Sequence, residues 1–222
     1  MTEPKFKHTF FIPYVGKRYY KKGINGKKVL VLGASFYCEA GEINRECHSI
    51  CTNPNKRATA GFKDNCPNCK RYNKNLSERA EIAISIEKCD SVSYQNFEIF
   101  LQAILLKEHP WDYVAFTNYA QFMLPTPETK SKYLSDADYR SFEEVIEYLK
   151  PDVVIEWGKP VQEHLKTKIP EIKEELKKSD GYICNHIFKG VNVTIVCLRH
   201  PSKEGWSEVL RHSYKYVKQA LI

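Results

Sequence analysis

The chain has 222 residues, enough for one domain with a buried core and a small insertion. Hydrophobic residues make up 42% of the sequence, which excludes an intrinsically disordered chain, and the longest apolar runs are far shorter than the roughly 20 residues of a membrane span. The formal net charge of +7 fits an ordinary basic protein as well as one with an anionic partner such as nucleic acid.

The first predicted strand is Lys28–Leu32, which follows a glycine-containing turn and ends in the loop Gly33–Tyr37. A polar, cysteine-rich stretch comes next, at residues 38–75. It has neither helical nor alternating periodicity and therefore predicts an insertion that something other than an apolar core holds together. A helix is predicted at Tyr94–Glu108, where apolar residues recur with the helical period.

The rest of the chain alternates strands and helices. In chain order these are a strand at Trp111–Thr117, a helix at Asp136–Lys150 ended by Pro151, a strand at Asp152–Trp157, a helix at Val161–Leu176 broken at Pro170, strands at Tyr182–Phe188 and Val191–Leu198, and a helix at Gly205–Ile222. This alternation predicts an α/β fold in a single domain spanning residues 1–222. We expect a three-layer α/β/α arrangement around a mostly parallel sheet of about four to five strands.

Polar residues follow three of these strands: Ser35, Asn118 and His200. Each of them alone is also explained as a turn or capping residue. Ligands of parallel sheets, however, bind outside the carboxyl ends of the strands. The three together predict one working site, where the loop Gly33–Tyr37 meets His200-Pro201-Ser202.

Four segments resemble motifs of the uracil-DNA glycosylase superfamily and follow the family's order. They are Val29-Leu-Val-Leu-Gly33-Ala-Ser-Phe-Tyr37, similar to the loop written GQDPY, GMNPG or GEAPG in the family; Phe116-Thr-Asn118-Tyr119, similar to its strand ending in Asn; Pro151-Asp-Val-Val-Ile-Glu-Trp157-Gly158, similar to its P-D-V-I-x-W/L-G strand; and His200-Pro201-Ser202, similar to its HPS motif. The likeness covers the chain from Lys28 to about Trp206, outside the cysteine-rich stretch.

The resemblance implies a base excision repair enzyme that flips a base out of DNA and hydrolyses its N-glycosidic bond. Asn118 would read the edge of the flipped base, because an amide offers both a donor and an acceptor. His200 would donate a hydrogen bond to the base oxygen where charge develops as the base leaves. The base pocket would be formed by Gly33, Ala34, Phe36 and Tyr37, and a DNA phosphate would be held by Pro201, Ser202 and Lys203.

The chain departs from the family at Ser35, where members carry Asp or Asn, and at Ala34, where another branch carries Glu. Serine is a poor general base at neutral pH and brings no negative charge to an oxocarbenium-like sugar. Glu39 or Glu42 could supply the missing carboxylate. Two hypotheses follow: a glycosylase with Ser35, Asn118 and His200 as its catalytic group, and a nucleic-acid-binding module of the same fold without the chemistry.

A third hypothesis is a serine hydrolase that uses Ser35 as nucleophile and His200 as base. The loop lacks the second glycine of a nucleophile elbow, and Cys197 stands where an aspartate would orient the imidazole. On all three hypotheses we expect a monomer. The first residues carry no apolar signal segment, so we expect a cytoplasmic protein with no membrane partner.

The cysteine-rich stretch contains two short-spaced pairs, Cys47-x3-Cys51 and Cys66-x2-Cys69. Two such pairs can deliver four thiolates to one tetrahedral ion, so the spacing predicts a structural zinc site in an insertion at residues 38–75. His48 could replace one thiolate. An iron–sulfur cluster fits less well, because the family members that hold one space their cysteines differently, and unpaired thiols are the remaining alternative.

Overall fold

The computed structural model describes residues 6–21, 23–37, 49, 51–55, 81–89, 91–105, 109–124, 129–202 and 206–221. Within these ranges six strands form one sheet: β1 (Tyr14–Val15), β2 (Val29–Gly33), β4 (Val114–Asn118), β6 (Val153–Trp157), β7 (Ile183–Phe188) and β8 (Val191–Leu198). Two shorter strands, β3 (Phe36–Tyr37) and β5 (Met123–Leu124), pair in parallel beside it.

The sheet is mostly parallel, with the strand order β1-β4-β2-β6-β8-β7. The four central strands run parallel, and the edge strands β1 and β7 pair antiparallel with β4 and β8. The predicted α/β fold is confirmed. The sheet has one strand more than predicted, because β1 has two residues and is too short to show a periodic pattern. The strand predicted from Trp111 begins only at Val114, because Pro110–Tyr113 forms a 3-10 turn.

Six α-helices belong to the described part of the chain: α1 (Glu81–Lys88), α2 (Val92–Leu105), α3 (Asp136–Leu149), α4 (Lys159–Lys168), α5 (Pro170–Lys177) and α6 (Trp206–Leu221). The hydroxyl of Ser135 accepts a hydrogen bond from the Asp138 N–H in a capping box, which starts α3. Pro170 starts α5, because proline lacks the N–H that a continuous helix would need there. No helix in these ranges is long and apolar enough to cross a membrane.

Two apolar clusters lie on opposite faces of the sheet. Along β2, Leu30 and Leu32 belong to one cluster and Val29 and Val31 to the other, as the alternation of a strand requires. Helices α3, α4 and α5 cover the first face, and α1, α2 and α6 cover the second. The predicted three-layer arrangement is therefore present, with both faces of the parallel strands buried.

Three ionisable groups are buried on the first face. The Tyr119 hydroxyl and Nδ1 of His164 lie 2.8 Å apart, and burial lowers the pKa of His164 to about 4. Glu156 of β6 is fully buried, and the thiol of Cys197, a weak donor, is the side-chain group that lies beside its carboxyl group among the described residues. Burial raises the pKa of Glu156 well above its usual range, so the fold favours the uncharged form of both the His164 ring and this carboxyl group.

Candidate functional site

The carboxyl ends of β4, β2, β6 and β8 lie along one edge of the sheet. Strand pairing places Gly33 of β2 opposite Asn118 of β4, and Trp157 of β6 opposite Leu198 of β8. His200 follows two residues after the end of β8. The topology therefore brings the polar residues that follow the three predicted strands to the same edge, as the sequence predicts.

A cavity of about 210 Å³ opens at this edge and is called the base cavity below, after the base pocket that the resemblance predicts. Its lining residues are Gly33, Ala34, Ser35, Phe36, Tyr37, Ser91, Ser93, Tyr94, Phe116, Asn118, Trp157 and His200. All three predicted catalytic residues and all four predicted base-pocket residues are among them. Five segments of the chain that are far apart in sequence thus meet around one space large enough for a small ring.

The side chain of Asn118 is the buried polar group of this cavity. Asn118 is only 4% exposed, and its side-chain amide makes no hydrogen bond to any described residue. Its backbone is fixed, since Gln121 Nε2 donates to the Asn118 carbonyl at 2.6 Å and Tyr119 N–H donates to the Gly33 carbonyl at 2.8 Å. A side-chain amide at the wall of a cavity offers a donor and an acceptor to whatever occupies it, so Asn118 can bind a ligand there.

Gly33 leaves room for that amide. A Cβ at position 33 would overlap Oδ1 of Asn118 and lie 2.7 Å from Cζ of Phe116. Any side chain at Gly33 would therefore push against both groups of β4, and glycine is required by close approach rather than by backbone angle.

His200 is held in one orientation by the turn that follows it. The Ser202 N–H donates to Nδ1 of His200 at 3.3 Å, and the Ser202 hydroxyl lies 2.9 Å from the same nitrogen. A nitrogen that accepts from a backbone N–H carries no proton, so the proton of the neutral ring is on Nε2. The Trp157 ring packs edge to face against the imidazole, with ring centres 6.0 Å apart.

The turn after His200 is also tied to α2. Asn96 Nδ2 donates to the Pro201 carbonyl at 2.7 Å, across 105 positions in the sequence. Pro201 itself is buried, and Lys203, the third predicted phosphate-binding residue, lies outside the described residues. The position of His200 therefore depends on a helix that sequence reasoning assigned no part in the site.

Ser35 makes a different contact from the one a serine nucleophile needs. Its hydroxyl lies 2.9 Å from the Thr129 hydroxyl, and this is its side-chain hydrogen bond within the described residues. A serine hydrolase requires a hydrogen bond between nucleophile and base, which Ser35 does not make here. No aspartate or glutamate of the described chain lines the base cavity, and Glu39 and Glu42 lie outside the described residues.

A larger cavity of about 520 Å³ adjoins the base cavity and is called the outer cleft. The two share the residues Ala34, Tyr37, Ser91, Ser93, Trp157 and His200. Val92 and Ser93, the first residues of α2, line the outer cleft together with Lys130 and Ser202, whereas α4 contributes Pro160, which has no N–H. A helix N-terminus carries partial positive charge, so the start of α2 and Lys130 make this cleft suited to an anionic group next to the base cavity.

Sequence reasoning missed the contribution of α2. The helix begins at Val92, two residues before its predicted start, because the Ser91 hydroxyl accepts from the Tyr94 N–H at 3.3 Å. Ser91 is a recognisable N-cap residue, and that pattern would have placed the start of the helix correctly. Nothing in the sequence alone indicates that this start faces the ends of β2 and β4.

No protein-family model matches the chain, and no curated protein is similar to it. The resemblance to uracil-DNA glycosylases therefore stays a prediction from four sequence motifs. The structure adds one fact to it: residues from all four motifs, among them Gly33, Asn118, Trp157 and His200, line the base cavity.

The predicted metal ligands are mostly outside the described part of the chain. Cys51 is described and is buried, with 4% of its surface exposed. Cys47, Cys66 and Cys69 lie outside the described residues. Within the described residues no group of three or more His, Cys, Asp or Glu side chains is arranged to hold a metal ion. The zinc site stays a prediction.

Proposed function

We propose that the chain is a uracil-DNA glycosylase-like protein that binds a flipped base of DNA in the base cavity and hydrolyses its N-glycosidic bond. The observation that carries this proposal is that Asn118, which is 4% exposed, lines one cavity together with residues of all four family-like motifs. An amide in that position can donate to a carbonyl oxygen and accept from a ring N–H of the same base edge.

The orientation of His200 supports the chemical step. Because Nδ1 accepts from the Ser202 N–H, Nε2 carries the ring proton and can donate to a base oxygen. In hydrolysis the bond from the sugar to the base breaks and its electron pair leaves with the base, a water oxygen bonds to the sugar, and the proton that the water loses passes through solvent to the departed base. A fixed donor aimed at the departing base stabilises the negative charge that it takes up.

The outer cleft supports an anionic substrate. The N-terminus of α2 and Lys130 line the cleft beside the base cavity, where the phosphate of a flipped nucleotide would follow its base. Gly158, with φ 101, precedes α4 and lets the chain turn directly from β6 into that helix. On this proposal the base and its phosphate occupy neighbouring parts of one continuous cleft.

Release of free uracil from a uracil-containing oligonucleotide tests the proposal. The wild-type protein is expected to release it, and Asn118→Ala or His200→Ala is expected to slow release at least 100-fold, the size of losing one such donor. Free base is measured by chromatography with mass detection. The exposed residues Asn192 and His212 offer matched controls, and Asn192→Ala and His212→Ala should release uracil at the wild-type rate.

A second candidate function is base binding without hydrolysis. It is favoured by the hydrogen bond between Ser35 and Thr129 and by the lack of a carboxylate among the described lining residues. In that case no uracil, hypoxanthine or other damaged base is released at stoichiometric protein. Binding to a uracil-containing oligonucleotide would still weaken with salt and with Asn118→Ala, and absence of both release and binding would contradict both functions.

We also propose that Cys47, Cys51, Cys66 and Cys69 bind a structural zinc ion. The two short-spaced pairs and the burial of Cys51 support it. Purified protein is expected to contain about one zinc per chain by elemental analysis, and Cys66→Ser with Cys69→Ser is expected to lose it. Cys89→Ser serves as the control and should retain the metal. Iron in place of zinc, or no metal in the wild type, would contradict the assignment.

A further inference from the structure

We propose that Tyr37 and Val92 form a stacking surface for an unpaired nucleotide next to the flipped one, which makes single-stranded DNA the preferred partner. This inference rests on the proposed function, since it takes the base cavity to hold one nucleotide of the same strand. It adds a specific surface and a strand state, neither of which follows from the four family-like motifs.

Tyr37 is an exposed aromatic ring on a fixed backbone. It is 41% exposed, although its strand β3 pairs with β5, where Tyr37 stands opposite Leu124. The preceding Phe36 is anchored by an edge-to-face contact with Phe11, with ring centres 4.9 Å apart. A large apolar ring held in solvent by an ordered strand is suited to an intermolecular contact, because little conformational freedom is lost on binding.

The position of Tyr37 selects the ligand. Tyr37 lines both the base cavity and the outer cleft, so a group stacked on it lies directly beside whatever occupies the base cavity. Val92, which is 58% exposed, lines the outer cleft with it and extends the apolar surface. The N-terminus of α2 and Lys130 border the same cleft and complement a phosphate backbone.

Proteins that bind single-stranded nucleic acid combine aromatic side chains with positive charge along one groove. The outer cleft has both, and Val92 adds an apolar neighbour to the ring. Bases stack on the ring while the groove follows the phosphates, and the contact is tolerant of sequence because every base has a flat face. In a duplex the neighbouring base keeps its stack and its pair, so its face is not available to Tyr37. The surface therefore favours an unpaired neighbour over a paired one.

Binding to uracil-free DNA tests this surface separately from base release. Dissociation constants for a labelled single strand and for the matched duplex are measured with the full chain by fluorescence anisotropy. Tyr37→Ala is expected to weaken single-strand binding about 10-fold and to leave duplex binding within about 2-fold, whereas Tyr37→Phe keeps the flat ring and binds like wild type. A 2-aminopurine placed in the single strand should lose fluorescence with wild type and regain it with Tyr37→Ala.

Tyr148→Ala is the matched control. Tyr148 is 42% exposed, like Tyr37, but lies near the end of α3 that leads into the start of β6, at the opposite edge of the sheet. It should bind both DNA forms like wild type. Unchanged single-strand affinity in Tyr37→Ala, or an equal loss for single strand and duplex, would overturn the proposal. Thermal unfolding of each variant separates a binding loss from a folding loss, and uracil release, measured independently, reports on the proposed function.

Discussion

On the proposed function, Gly33→Ala is expected to weaken base binding strongly and to destabilise the fold. The strand register sets Gly33 opposite Asn118, so the added Cβ has no direction in which to avoid Oδ1 of Asn118 and Cζ of Phe116. Overfilling a packed site typically costs about 1–3 kcal/mol of unfolding free energy. Moving the amide also removes the donor and acceptor on which base recognition depends, so we expect affinity for a uracil-containing strand to fall at least 100-fold, or about 2.7 kcal/mol.

The measurement is an unfolding curve in urea together with a binding titration. Gly190→Ala is the matched control, because Gly190 has φ 81 in the turn between β7 and β8 and has open space around it. That variant should lose about 1–2 kcal/mol of stability through backbone strain and keep wild-type affinity. If Gly33→Ala bound the uracil-containing strand like wild type, Asn118 would not be the group that recognises the base.

Glu156→Gln is expected to change how stability depends on pH. Burial raises the folded-state pKa of Glu156 above the value of an unfolded glutamate, so between those two pKa values the folded protein holds a proton that the unfolded chain has lost. The unfolding free energy of wild type therefore contains a contribution that is fully present below about pH 4.5 and is lost as pH rises toward the folded-state pKa. Its slope is about 1.4 kcal/mol per pH unit.

Glutamine has the same shape as glutamate and cannot titrate. The unfolding free energy of Glu156→Gln relative to wild type should therefore grow with that slope as pH rises from 5. His164 acts in the opposite direction: its pKa is lowered to about 4, so its stabilising contribution is present above about pH 6.5 and lost as pH falls toward 4. The His164 contribution is the same in wild type and in Glu156→Gln, so it cancels in the difference between their unfolding free energies. Urea unfolding of both proteins at half-unit pH intervals measures that difference.

Glu147→Gln is the control for this experiment. Glu147 is exposed on α3, so its replacement should stay within about 0.5 kcal/mol of wild type. A constant difference between Glu156→Gln and wild type from pH 5 to pH 8 would mean that Glu156 keeps its charge in the folded protein. A charged Glu156 carboxylate would need a cationic or strong hydrogen-bonding partner, and the described residues around it supply neither.

The elements with strong periodicity were predictable from sequence. The apolar runs that become β2, β6 and β8 are buried on both faces, and the face of α3 that packs on the sheet follows from Phe142, Val145, Ile146 and Leu149. The site was predictable in the same terms, because parallel strands end at one edge and Ser35, Asn118 and His200 follow three of them.

Other parts of the site depend on contacts between distant segments. The orientation of α2 toward the cavity comes from its packing against Trp111, Phe116 and Trp157, and no local pattern encodes it. In the sequence, Glu156 is a single polar residue near the end of a predicted strand, a position that does not indicate burial, yet the fold buries it completely. Ser91 and Ser93 were missed as cavity-lining residues because their place in the site depends on this orientation of α2.

The hydrogen bond from Asn96 to the Pro201 carbonyl ties α2 to the turn that holds His200. On the proposed function, His200 contacts the base and the N-terminus of α2 contacts the phosphate, so this tie restricts the separation of the two groups that bind one nucleotide. A free base would contact only one of them. We infer that released uracil binds far more weakly than the nucleotide it came from, so the product leaves without having to be displaced.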